Sequence, residues 1–187
     1  TIRQVLETAR QSAYKAVNFA MVQAYWQIGR LIVEDEQNGE NRAEYGKKVL
    51  DGLAERLTAD FGKGFDAREL RRMRQFYLLF SKWDAVRPEL SWTHYRLLLR
   101  VENEDARNWY MNESAAENWS SRQLERQISV LYYDRMLLSA DKQSTQADAD
   151  ENMALAKLEP ESFIRNPYVL EFLNLKDYPN LHEKDIE

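Results

Sequence analysis

Apolar residues spaced by three or four run from the first turn of the chain to its thirty-first residue: Ile2, Leu6, Ala9, Ala13, Ala16, Ala20, Ala24, Ile28 and Leu31. That period predicts one helix over residues 2 to about 37. At about 1.5 Å per residue it would reach on the order of 50 Å, which is long for a small domain. Val5, Val17, Met21, Tyr25, Trp26 and Ile32 widen the apolar surface, so the helix should bury itself against several elements or against a second subunit. Gly29 inside the pattern costs about 1 kcal/mol relative to Ala, which points to a close helix crossing there. The acidic run Glu34 to Asn41, with Gly39, ends the helix.

The remaining punctuation predicts an all-α fold built from helix pairs. A second helix spans about Glu44 to Asp60, with Val49, Leu50, Leu53, Leu57 and Phe61 at helical spacing, and Gly62 and Gly64 then allow a sharp turn. Asp66 and Glu69 stand in the D-x-x-E relation of a capping box and open a third helix, about Ala67 to Trp83. Ser91 can cap a short fourth helix reaching Val101. A fifth runs from near Glu104 to Glu117, Asn118-Trp119-Ser120 forms a turn, and a Ser120/Gln123 capping box opens a sixth helix from Ser121 to Leu138. Residues 1–138 thus read as one helical domain and 139–159 as a polar linker. Residues 160–187 read as the truncated start of a second domain.

The turn and the third helix carry the chemistry. Lys63 sits in the turn, and Arg68, Arg71, Arg72 and Arg74 occupy the first two helical turns after the cap. This is the arrangement of the second half of a helix-turn-helix, whose early turns face the DNA major groove. Arg96, and Arg122 with Arg126 at the start of the sixth helix, are further DNA candidates, as are Tyr95 and the pair Tyr132 and Arg135 for stacking or phosphate contact. The overall charge is −5, but residues 61–100 hold nine basic and four acidic side chains, whereas residues 101–187 hold nine and eighteen. Phosphate binding follows the local field and not the total, so a basic island in an acidic chain can dock a duplex. Arginines at helical spacing also occur simply as a solvated face.

Other chemistries are excluded or weak. Without cysteine there is no disulfide frame, thiolate metal site or cysteine nucleophile, and the composition suits the cytoplasm. No apolar run is long enough for a membrane span. His94 and His182 are isolated and read as packing or hydrogen-bonding residues; no catalytic or metal residue is assigned. Gly62-Lys63-Gly64 lacks the phosphate-loop pattern. No lysine is preceded, two residues earlier, by Asp or Glu, so the carboxylate-x-lysine of a metal-dependent PD-(D/E)XK nuclease is missing from this chain.

Six ordered motifs carry a family resemblance: Tyr25-Trp26-Gln27-Ile28-Gly29-Arg30, Arg42-Ala43-Glu44-Tyr45-Gly46, Phe61-Gly62-Lys63-Gly64-Phe65, Met73-Arg74-Gln75-Phe76-Tyr77, Leu90-Ser91-Trp92-Thr93-His94-Tyr95, and Asn118 to Ile128. Together, over about residues 10 to 138, they resemble the N-terminal domain of the YhcG-type nucleases. The resemblance implies a C-terminal PD-(D/E)XK domain using a divalent metal, with Asn166 to Leu173 and Glu183 to Glu187 as its opening and Glu183 or Glu187 in its first helix. This chain would then position DNA for that domain and would not itself cut. The competing reading is a scaffold for oligomerisation or for a protein partner, with homo-oligomers formed through the first helix.

Overall fold

The computed structural model describes residues 1–38, 44–139 and 167–173. Those residues form an all-α fold, with no strand among them. Its helices are α1 (Ile2–Asn38), α2 (Glu44–Phe61), α3 (Ala67–Leu79), α4 (Trp92–Leu98), α5 (Glu104–Ala116), α6 (Ser121–Ser129), α7 (Tyr132–Leu138) and α8 (Pro167–Phe172). Short 3-10 turns at Lys63–Phe65 and Trp83–Ala85 flank α3. The 139–159 linker from residue 140 onward, and most of residues 160–187 including His182, Glu183 and Glu187, lie outside the described residues.

The long helix is present, but its buried face is not the alanine stripe. Met21, Val22, Tyr25, Trp26, Ile32 and Val33 are buried, whereas Ala9, Ala13, Ala16 and Ala20 are exposed and Leu31 is 58% exposed. Larger side chains bury more apolar area per residue, and they decide which face turns inward. Residues 2–13 contribute nothing to the core and stand exposed on every side.

Where α1 meets α3, the two backbones touch. A Cβ built on Gly29 would lie 2.0 Å from the Met73 carbonyl oxygen and 2.7 Å from its carbon. Only glycine permits that approach, so the conformational cost of Gly29 is the condition of the crossing. It seats Leu70, Met73 and Phe76, all fully buried, against α1. The Trp26 indole N–H donates to the Phe80 carbonyl at 2.7 Å, and its ring packs edge-on to Tyr77 and Trp83. That bond takes the carbonyl at the C-cap of α3, where the backbone leaves helical geometry, so α3 ends at Leu79 and not at Trp83. Beyond the crossing, Tyr25 packs edge-on to Trp92 and Phe65, and Phe76 joins Trp92 and Tyr95. Such aromatic pairs contribute about 0.5–1.5 kcal/mol each beyond their burial.

Asn118 adopts a left-handed conformation after α5, letting the Trp119 N–H reach the Ser114 carbonyl at 3.0 Å, and the Ser120/Gln123 capping box then opens α6 as its sequence implies. The single helix expected from Ser121 to Leu138 is broken. Leu131 is left-handed (φ 51°, ψ 47°), a conformation costing a leucine about 1–2 kcal/mol. The break turns Tyr132 inward, to 4% exposure, against Trp109 and Trp119. The buried Tyr110 hydroxyl bridges it, accepting from the Tyr133 N–H at 3.0 Å and donating to the Gln127 carbonyl at 3.2 Å. Finally, α8 returns to the core: Val169 is buried and Phe172 packs edge-on against Tyr25 at 6.0 Å.

Gly29→Ala should lower stability by about 1–3 kcal/mol despite alanine's better helix propensity, because the backbones must separate. Gly52→Ala, on α2 with nothing within 4 Å of the new Cβ, should be neutral or stabilising by up to about 1 kcal/mol. Urea denaturation of the two variants checks the contrast.

Candidate nucleic-acid interface

Asp66 caps α3 as its sequence implies, accepting from the backbone N–H groups of Arg68 and Glu69 at 2.8 and 2.9 Å. The second half of the box does not form. Glu69 instead turns its carboxylate, 12% exposed, toward Arg72, with which it pairs, and toward Arg96 Nη2 at 3.7 Å. Burying this anion is favourable only with cations beside it, and it therefore organises two of the candidate arginines from two different helices.

The arginines of α3 divide by environment. Arg74 reaches back to Glu36 at the end of α1, at 2.7 Å with Glu36 17% exposed, which makes it a strut of the α1–α3 pair. Arg71 pairs with Asp51 at 3.2 Å, but both side chains are about half exposed, so the pair is worth little and opens readily. Arg68 is exposed, with no acid partner among the described residues. Lys63 lies in the 3-10 turn before the cap.

On α4, Arg96 sits at the meeting point of this cluster and a second one. Its pKa is lowered, first by burial and then by the neighbouring guanidiniums of Arg72, Arg100 and Arg68, against the pull of Glu69. The Tyr168 ring of α8 lies 4.5 Å from the guanidinium carbon, a cation–π contact. Arg96 also lines an open cleft of about 170 Å³ between α4 and α6, with Arg100, Arg122 and Glu125 on its walls and Leu97 beneath. Arg100 and Glu125 approach to only 3.9 Å, both mostly exposed. Arg126 is exposed on α6 outside the cleft lining. Among the described residues no three His, Asp or Glu side chains converge as metal ligands, and no helix is long and apolar enough to cross a membrane.

Residues 1–135 match the DUF1016 N-terminal domain. The chain belongs to that family. It is also 36% identical over 221 residues to a protein of Escherichia coli (strain K12) named "Putative nuclease YhcG", an alignment covering all of this chain and 57% of that protein. The chain thus spans little more than half the length of this relative. No solved structure matches it significantly. The DUF1016 N-terminal domain is helical throughout its described elements, and α8 lies beyond the matched residues yet packs on it.

Several sequence-level candidates prove to be core of this DUF1016 N-terminal domain. Tyr95 is fully buried, its hydroxyl accepting from the Arg87 N–H at 2.7 Å, and burial raises its pKa strongly. Tyr132 is also buried, so neither ring is placed to stack on a base. Their positions within the apolar period were the signal that both belong inside. Arg100, next to the helix end, was not singled out by spacing and emerges only from the cleft. His94 is a cap: its Nδ1 accepts from the Ser91 N–H at 3.2 Å and its Nε2–H donates to the Trp119 carbonyl at 2.9 Å, joining α4 to the α5–α6 turn. Both roles use the neutral ring, and burial lowers its pKa from the ordinary 6.5. Above that value folded and unfolded rings are both neutral and the stabilisation is complete; as pH falls through it, only the unfolded ring takes up a proton. Melting temperature should accordingly fall from about pH 7 to about pH 5.5, and His94→Gln should start lower and fall less.

Proposed function

We propose that this chain is the DNA-engaging module of a bacterial, cytoplasmic nuclease. Residues 160–187 lead toward a C-terminal PD-(D/E)XK domain of the longer protein, and divalent-metal chemistry belongs there. The observation that carries this reading is the gathering of Arg72 from α3 and Arg96 from α4 about the Glu69 carboxylate, with Arg100 and Arg122 lining the adjoining cleft. A like-charge cluster held by a rigid helical core is relieved by a polyanion, which releases counterions as it docks. The early turns of α3 supply Arg68, Arg71 and Arg72, as a helix-turn-helix reading requires. Lys63, Arg122 and Arg126 are further candidates by their place in the sequence, and similarity to a protein named as a nuclease supports DNA as the partner.

A second reading rests on α1. Ile2, Val5 and Leu6 are 82%, 67% and 52% exposed, an apolar turn that a second copy could cover, and a symmetric dimer would present two basic faces. Light scattering over a concentration series tests it; a strict monomer at high concentration removes it.

Arg68→Ala combined with Arg71→Ala should weaken duplex binding at low salt by on the order of ten-fold or more and flatten its salt dependence. Arg74→Ala should lower stability while changing affinity little. Fluorescence anisotropy titrations check both, and absence of any binding by the unaltered chain at low salt defeats the reading.

A further inference from the structure

We infer that the cleft between α4 and α6 is a clamp for a single phosphodiester of the DNA backbone. This rests on the DNA reading above and specifies how one part of that surface would work. Three arginines, Arg96 of α4 and Arg100 in the turn after it on one wall and Arg122 of α6 on the other, line an open space of about 170 Å³. That space suits a phosphate with part of its sugar and is too small for a base pair. Thr93 and Ser121 add hydroxyl donors at its edge.

The start of α6 completes the donor set. In the capping box the Ser120 N–H is taken by Gln123 Oε1 at 2.7 Å, and the Gln123 N–H by Ser120 Oγ at 3.3 Å. The amides of Ser121 and Arg122 are left without an acceptor among the described residues, and both residues line the cleft. Helix-start amides and arginines together suit a phosphate oxygen. Arg96 is held from behind by Glu69 at 3.7 Å and by the Tyr168 ring at 4.5 Å, which fixes its guanidinium at the cleft wall.

The opposing group is Glu125, 3.9 Å from Arg100, each side chain more than 60% exposed. Such a pair contributes little to stability, so a phosphate can displace the carboxylate from Arg100 at small cost. Contacts of this kind carry no base identity, so the clamp sets the register of the duplex without reading its sequence.

The test uses Arg100→Ala/Arg122→Ala in the 187-residue chain, with circular dichroism to establish folding, against two duplexes of unrelated sequence. The expected result is an equal loss of affinity on both, with the salt slope reduced by roughly 0.9, the value for the one phosphate contact removed. Glu125→Gln should bind both duplexes more tightly. If the unaltered chain binds DNA and the double variant keeps the same affinity and slope, or loses affinity on one duplex only, the clamp is overturned and the DNA reading stands. If the chain binds no DNA, inorganic phosphate is titrated and the Ser121 and Arg122 amide resonances are followed. Shifts there would keep the anion site and discard the DNA reading, and their absence would discard both.

Discussion

The contact between Gly29 and the backbone of Met73 is the constraint on which the rest of the structure depends. Two helices whose backbones touch leave no room for intervening side chains, so their larger residues are displaced to either side of the crossing. On one side they form the cage of Trp26, Tyr77 and Trp83, and on the other the cluster of Tyr25, Phe65 and Trp92. The first cage ends α3 by drawing the Phe80 carbonyl to the Trp26 indole. The second receives α4 from within and α8 from outside. Because the apolar face of α3 is wholly occupied by this packing, its arginines are left on the opposite side.

Those arginines do not form the uniform basic helix that their spacing suggests. Acidic partners sort them: Glu36 holds Arg74 within the framework, Glu69 gathers Arg72 with Arg96, and Asp51 only loosely engages Arg71. A basic surface survives in an acidic chain because the buried carboxylate of Glu69 serves as an organising counterion for two helices. The centre of positive charge consequently shifts from α3 alone to the junction of α3, α4 and α6, with Arg96 common to both halves.

Local signals were legible and tertiary ones were not. The caps at Asp66, Ser91 and Ser120 follow from short-range hydrogen bonding and appear where the sequence puts them, as do the ends of α2 and α5 to within a residue. The close crossing at Gly29 was also readable, since a glycine within a strong helical pattern needs a packing reason. The break at Leu131 was not, because nothing in its own sequence favours a left-handed leucine. Burial of Tyr132 and the bridging Tyr110 hydroxyl, more than twenty residues away, decide it. The periodic pattern left the buried face of α1 open, because period alone does not distinguish an alanine stripe from an adjacent stripe of larger residues, and the larger residues are the ones buried. At the candidate interface, arginine identities were plain but their partners were not, since each pairing other than Arg72 with Glu69 joins separate elements.

Under the proposed function, DNA meets the face shared by α3, α4 and the start of α6. Hydrogen exchange of the 187-residue chain, with and without duplex at low salt, tests it most directly. Added protection should fall on the first turns of α3, on the α4 end around Arg96 to Arg100, and on Ser121 and Arg122, leaving residues 2–13 unchanged. Protection confined to the exposed half of α1, or no change anywhere while DNA is bound, would contradict it.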